Sequence, residues 1–130
     1  MEKEEIIEAI KEFFNSKNAE FNVTQPKETA NDTLLVGIKF KEPIELTEQE
    51  YDELRDFLKR LHFSPIDTWE NNVIHSYGYR SYTGIDEYQN NDNDDVRLYY
   101  TKVCTRGKAT YFIDKIWVEE NTQEYMNELY

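Results

Sequence analysis

The side chains best suited to nucleophilic or metal chemistry are one cysteine and two histidines, and they are scattered along the chain. Cys104 could act as a nucleophile only if a histidine such as His75 lay beside it in the fold. Neither His62 nor His75 has a second His or Cys at the spacing of a zinc site. The four glycines are dispersed, which argues against a glycine-rich phosphate loop. We therefore predict no catalytic residue, no metal site and no cofactor, and we expect Cys104 to pack in the core.

The acidic side chains form the sequence pattern that is most informative about function. In the segment 47–61, carboxylates recur every four residues, which stacks them on one stripe of a helix about 6 Å apart. A second group occupies the polar segment 83–95, which we predict to be an acidic loop. That group does not fit a calcium loop, because no Gly stands at the sixth position and Val103 occupies the twelfth. The carboxylates that we assign to a partner-binding surface are Glu48, Asp52, Asp56, Asp92, Asp94 and Asp95.

Tyrosines are concentrated in the segment 72–82. Alternation along a strand would place His75, Tyr77 and Tyr79 on one face. Tyrosine is common in binding hot spots because it buries a large area at little rotamer cost, so Tyr77 and Tyr79 join the predicted partner-binding set. Tyrosine-rich strands also occur in sheet cores near the rim. In an alternative interpretation a sheet pocket takes a small molecule or peptide, and its lining is Tyr77, Tyr79, Tyr99 and Tyr100.

The helices that would position these groups are marked by periodicity and caps. Ile6, Ile10 and Phe14 recur at helical spacing, which predicts an amphipathic helix over 3–15. Thr47 followed by Glu50 forms a capping box and starts the predicted helix at 47–61. A short C-terminal helix is expected after a cap at Asn121.

The strands are predicted from alternation and β-branched content. Residues 33–41 alternate apolar and polar side chains, the segment 72–82 is aromatic, and a hairpin joins 95–105 to 108–119. A two-residue turn at Arg106-Gly107 would place Cys104 opposite Ala109 and Tyr100 opposite Ile113. The core face of this hairpin would hold Val96, Leu98, Tyr100, Tyr111, Ile113 and Trp117.

These elements predict an α+β fold over residues 1–130 as a single domain. Its sheet would have four or five mainly antiparallel strands, with two amphipathic helices and a short C-terminal helix packed on it. The pattern leaves the strand order and the oligomeric state open.

Net charge limits the classes of partner. The chain has 27 acidic and 15 basic residues, a net charge of −12, whereas phosphate binding needs a basic footprint. We therefore expect neither direct nucleic-acid binding nor attachment to an anionic membrane. The single cysteine and a start without a signal-peptide pattern favour a cytoplasmic protein. The Asn-, Lys- and Tyr-rich composition is typical of a low-GC bacterium, its phage or a mobile element.

The acidic surface suggests two functions from different classes. Duplex DNA spanning a domain of this size carries about twenty phosphates, so a net charge of −12 permits imitation of a nucleic-acid backbone. The chain is similar in size and charge to anti-CRISPR, anti-restriction and nuclease-immunity inhibitors. We predict an acidic inhibitor that occupies a basic site of a nucleic-acid-handling protein. The alternative is the ligand-binding domain with the tyrosine-lined pocket, and solubility alone would also account for the charge.

Overall fold

A computed structural model describes residues 2–29, 33–74, 80–105 and 110–121, with the backbone alone at 67–74, 80–82 and 105. The helices are α1 (Lys3–Ser16) and α2 (Glu48–Arg60). The strands are β1 (Phe21–Val23), β2 (Lys27–Glu28), β3 (Thr33–Thr47), β4 (Phe63–Ile74), β5 (Arg80–Asn90), β6 (Val96–Thr105) and β7 (Thr110–Asn121).

All seven described strands belong to one antiparallel sheet. Its order is β1, β3, β7, β6, β5, β4, and β2 pairs with β3 as well. Strands β4 to β7 pair in succession along the chain, whereas β3 pairs with β7 from the far end of the described sequence. Helix α2 connects β3 to β4 at the other side of the sheet.

Both helices pack on one face of the sheet, which we call the helix face. Ile10, Phe14 and Leu54 are fully buried there, because the apolar stripes of the two helices turn toward the strands. The helices also touch each other: the rings of Phe13 and Phe57 stack with centroids 4.4 Å apart. The two predicted amphipathic helices and the Thr47 capping box are thus confirmed.

The pairing of the central strands is irregular at two points. Between Lys39 and Ile44, four residues of β3 face the single residue Asp114 of β7. Pro43 lies in this stretch, where a residue without an N–H is tolerated. A second irregularity lies between the pairs Tyr100–Ile116 and Lys102–Ile113. One residue of β6 separates these pairs, whereas two residues of β7 do, so β7 has one extra residue there. The extra residue reverses the alternation along β7, which decides the face on which each later side chain lies.

The opposite face, which we call the open face, is covered by neither α1 nor α2. Trp117 lies at its centre, and a Cβ built on Gly37 would come within 2.5 Å of the indole. Glycine at position 37 therefore allows the indole to pack closely against β3. Two cations, Lys39 and Lys115, approach the same ring, with their Nζ atoms 5.8 and 5.6 Å from its centroid.

The predicted strand count and part of the C-terminal prediction are wrong. The sheet has seven described strands instead of four or five, chiefly because β4 and β5 were not recognised at their full length. Asn121 is the last residue of β7 and not a helix cap. The remainder of the predicted C-terminal helix lies outside the described residues.

Two predicted strands also differ from the structure in register. The segment 72–82 is not one strand, because Val73 pairs with Ser81 as two arms of a hairpin. In the β6–β7 hairpin, Cys104 pairs with Tyr111 and not with Ala109. Val96, Leu98, Tyr100 and Ile113 are buried as predicted, whereas Trp117 lies on the open face because of the extra residue in β7.

None of the helices in the described parts of the chain is long and apolar enough to cross a membrane.

Candidate interaction site along the second helix

A buried polar network lies between α2 and strands β5 and β6. Asp86 of β5 accepts hydrogen bonds from the Tyr51 hydroxyl and, at 3.0 Å, from Lys102 Nζ. Lys102 Nζ also donates to the Tyr51 hydroxyl at 3.2 Å. Asp86 and Lys102 expose only 5% and 6% of their surface. A buried carboxylate and a buried ammonium group thus neutralise each other beneath α2.

Two further tyrosines extend this network toward the surface. The Tyr100 hydroxyl donates to Tyr51 at 3.5 Å, and it lies 2.9 Å from the hydroxyl of Tyr88. Either hydroxyl of the Tyr88–Tyr100 pair can donate to the other. The hydroxyls of Tyr88, Tyr100 and Tyr51 thus form a continuous hydrogen-bonded chain that ends at the carboxylate of Asp86.

The pKa shifts in the network keep its three tyrosines and Asp86 in the protonation states that their hydrogen bonds need. Burial raises the pKa of Tyr51, Tyr88 and Tyr100 above the usual range, so all three stay protonated and can donate. Burial alone would raise the pKa of Asp86 too. Hydrogen bonds from Tyr51 and Lys102 and the charge of Lys102 outweigh burial, so the pKa of Asp86 is lowered. Asp86 is therefore ionised at neutral pH.

The network is reached from a groove of about 520 Å³ between α2 and the start of β4. Tyr88 is buried at 3% exposure and forms part of the groove lining, so its ring joins the groove to the interior. The guanidinium of Arg55 lies 5.9 Å from the ring centroid of Tyr51. The groove lining consists of Asp52, Arg55, Asp56, Lys59, Phe63, Ser64, Pro65 and Tyr88.

A turn at residues 91–95 is fixed against the C-terminal end of α2. The side chain of Asn90 is fully buried, and its Nδ2 donates to the Leu61 carbonyl at 2.9 Å. Its Oδ1 accepts from the backbone N–H groups of Asp92 and Asn93 at 3.0 and 3.2 Å. One amide side chain thus holds both the helix end and the turn.

Two further contacts reinforce this connection. The carboxylate of Asp92 contacts Nδ1 of His62, which follows α2 with a φ of 67°. Asn91 donates to the hydroxyl of Ser64, a groove residue, at 2.9 Å. The turn is therefore hydrogen-bonded to a residue of the groove lining.

The predicted partner-binding carboxylates occupy this region. Asp52 and Asp56 are exposed and line the groove, and Glu48 is exposed one turn earlier on α2. Asp92 and Asp94 are exposed in the turn, and Asp95 is partly buried there. The structure thus joins the two acidic groups through the Asn90 turn. Arg55 and Lys59 also line the groove, so its charge is mixed.

Other predicted groups do not come together. Tyr99 is partly exposed on the open face and Tyr100 is fully buried on the helix face, so the two cannot line one pocket. Tyr77, Tyr79 and His75 lie outside the described residues. Cys104 is a buried free thiol, in agreement with its predicted place in the core.

Sequence reasoning missed the network because it treated residues 83–95 as a solvated loop. Gly84, Asp86, Tyr88 and Asn90 are all buried in β5, at alternate positions. Alternation beyond Tyr100 also places Lys102 on the predicted core face of β6. A lysine at such a position was a signal that a buried acidic partner should exist. In the described part of the chain, no group of three or more His, Cys, Asp or Glu residues could hold a metal ion.

No protein-family model and no curated protein sequence matches this chain. Among solved structures, it is similar to a hypothetical thioesterase protein with coenzyme A from Streptococcus pneumoniae TIGR4. The two are 7% identical over 83% of this chain and 91% of that chain, with a TM-score of 0.23. A likeness at that score carries no argument about fold or function.

Proposed function

We propose that this protein is a cytoplasmic acidic inhibitor that occupies a basic site of a nucleic-acid-handling protein. Its binding surface is the exposed side of α2 together with the turn 91–95, which we call the acidic ridge. The observation that carries the proposal is the buried Asn90 side chain, which fixes the turn to the end of α2. A preordered surface loses less conformational freedom on binding, which favours affinity.

The charge of the acidic ridge supports this proposal. Residues 48–60 and 91–95 contain eight acidic and three basic residues, so they contribute −5 to the total net charge of −12. The 13 residues of α2 extend about 20 Å, a length over which duplex DNA carries about twelve phosphates. The ridge therefore has a density of carboxylates comparable to a stretch of one DNA strand, and this opposite charge would steer a basic partner toward it.

The cations within the ridge do not cancel this field. Arg55 is exposed, but its guanidinium lies over the ring of Tyr51, 5.9 Å from the centroid. Lys59 remains exposed beside Asp56 and would reduce the attraction locally. We expect the partner contacts to centre on Asp52 and the turn for this reason.

The test is a pull-down with the tagged protein from a low-GC bacterial lysate supplemented with phage-defence nucleases. The ridge variant carries Asp52→Asn, Asp56→Asn and Asp92→Asn. The matched control carries Glu4→Gln, Glu8→Gln and Glu12→Gln on α1, which removes the same number of charges from another acidic stripe. We expect the wild type and the control to retain a basic nucleic-acid enzyme, which its DNA or RNA displaces.

The ridge variant should release that enzyme at much lower salt than the control. Equal retention by the two triple variants would remove the acidic ridge from the interface. If wild-type protein retains no basic enzyme at low salt, the inhibitor proposal fails.

A second candidate function is binding of a small molecule or peptide in the groove. The observation that favours it is the buried ring of Tyr88 in the groove lining, beside the apolar surfaces of Phe63 and Pro65. Asp56→Trp would fill the groove from the exposed side of α2. A ligand found by thermal-shift screening should bind the wild type and lose its effect in this variant, with little dependence on salt.

A further inference from the structure

The open face carries a short pattern that is complementary to itself. Lys115, Trp117 and Glu119 occupy alternate positions of β7 and are all partly exposed. The residues between them, Ile116 and Val118, are buried on the helix face. Lys115 and Glu119 therefore lie on the open face on either side of Trp117, about 13 Å apart along the strand.

We infer that a second copy of this chain packs on the open face as a two-fold symmetric dimer. The two-fold axis lies in the plane of the interface, runs perpendicular to β7 and passes over Trp117. Rotation about this axis places each Lys115 over Glu119 of the second copy. The same axis stacks the two Trp117 side chains near the centre, where large aromatic anchors are most effective. This inference does not depend on the proposed inhibitor function, which uses the other side of the molecule.

Neighbouring residues of β6 on the open face fit the same axis, although the axis also brings Glu87 of β5, which pairs with Tyr99, opposite its own copy. Tyr99 pairs with Trp117 across β6 and β7, so it lies in the row of the axis and meets its own copy. Arg97 pairs with Glu119 across β6 and β7, and the two-fold rotation places Arg97 opposite Thr101 of the second copy. A cleft of about 430 Å³ lies there, with Thr101 and Asp114 in its lining. An exposed arginine thus meets a cleft that contains an exposed carboxylate.

The charges that would pair across the interface are free to do so. In the described part of the chain, none of Lys115, Arg97 and Glu119 forms an ion pair. Lys115 instead lies over the Trp117 ring, beside Lys39 from β3. Two cations at directly opposed strand positions repel each other, and a carboxylate from the second copy would relieve that repulsion.

The available area is large enough for a specific interface. Across β3, β7, β6 and β5 the open face is four strands wide, about 19 Å. Along the strands it is roughly seven residues long, about 23 Å. Because side chains project from such a face, its accessible surface is roughly 700 Å² per copy. This is close to the about 800 Å² per partner of a standard interface. Two sheets that pack face to face in this way form an aligned sandwich.

The experiment measures mass by sedimentation velocity over a range of protein concentrations, with the full chain and three charge variants. Wild type should form a species of twice the chain mass of 15.7 kDa. Lys115→Glu makes two carboxylates face each other across the interface, and Glu119→Lys makes two ammonium groups do so. Each single variant should therefore weaken the dimer by at least about tenfold in Kd, because like charges repel.

A double variant and a mixture of the two single variants make the test independent of any effect on folding. The double variant that combines Lys115→Glu with Glu119→Lys should regain the dimer, and an equimolar mixture of the two single variants should form a heterodimer. Glu12→Lys changes the charge of α1 on the helix face and should leave the dimer unchanged. A wild type that stays monomeric at millimolar concentration overturns the inference, and so does a dimer that tolerates both single variants or a mixture that does not associate.

Discussion

Asp86 and Lys102 are the residues at which burial and charge oppose each other most directly. Lys102→Met keeps most of the side-chain volume but leaves the Asp86 carboxylate buried without its ammonium partner. We expect a loss of about 3 to 5 kcal/mol in the free energy of unfolding, the usual cost of breaking a buried ion pair on one side. Urea denaturation followed by circular dichroism measures this change.

A double variant distinguishes loss of the ion pair from general damage to the core. When Lys102→Met is combined with Asp86→Asn the buried charge is gone, while the new amide can still accept from the Tyr51 hydroxyl. This variant should recover a large part of the lost stability. If it is less stable than Lys102→Met alone, the carboxylate is not the source of the cost.

The lowered pKa of Asp86 gives the protein an acid-dependent component of stability. A carboxyl whose pKa is lower in the folded than in the unfolded chain stabilises the fold above its unfolded pKa. This contribution is lost as the pH falls through the folded pKa. The stability difference between wild type and Asp86→Asn should therefore be constant at neutral pH and narrow below about pH 4. Denaturation curves of both proteins from neutral to acidic pH test this, and a difference that widens in acid contradicts it.

At the scale of elements, the Asn90 turn joins the end of α2 to the hairpin of β5 and β6. Asn90→Ala removes its hydrogen bonds to the Leu61 carbonyl and to two N–H groups of the turn. We expect a destabilisation of about 1 to 3 kcal/mol, since these are buried polar groups left without partners. Hydrogen exchange should accelerate at Asp92 and Asn93 and at the last turn of α2. Unchanged exchange there would mean that the turn does not depend on Asn90.

The same variant reports on function without changing charge. If the acidic ridge binds a partner, Asn90→Ala should weaken binding because the turn is no longer fixed to α2. A variant with accelerated exchange and full affinity would show that the turn carries no part of the interface.

Helices were predictable from sequence because their signals are local. The apolar period of α1 and the Thr47–Glu50 capping box of α2 fix those elements within a few residues. The β5 strand was not predictable in the same way, since its polar residues Asp86 and Asn90 are buried by partners distant in sequence. Register in the β6–β7 hairpin depends on an extra residue in β7 that no local pattern marks.

The candidate site was predicted in part. Exposed carboxylates on α2 and in the turn follow from helical spacing and polarity, and the structure places Asp52 and Asp92 accordingly. The contact between the two groups depends on Asn90 and Ser64, which are ordinary polar residues in the sequence. The role of a buried polar side chain cannot be recognised from the sequence until its neighbours in the fold are known.

At the scale of the whole molecule, the net charge of −12 would steer the protein toward the basic partner that we propose. The association rate constant should fall on the order of tenfold from low to physiological salt, because screening removes long-range steering. Dissociation should change less. Stopped-flow measurements with the partner from the pull-down test this, and an association rate independent of salt would exclude electrostatic steering.

Strand β7 lies in the middle of the sheet, between β3 and β6, yet it is the last of the seven described strands along the chain. As the chain leaves the ribosome, β1 to β3 and β4 to β6 emerge first, and each group offers an unpaired strand edge where β7 will later insert. Neither half can close the core before then, since Ile113, Ile116 and Val118 of β7 belong to it. Completion of this fold therefore waits until β7 has been synthesised, and a chain stalled before residue 110 would expose the unpaired strand edges of both groups to the cell's chaperones.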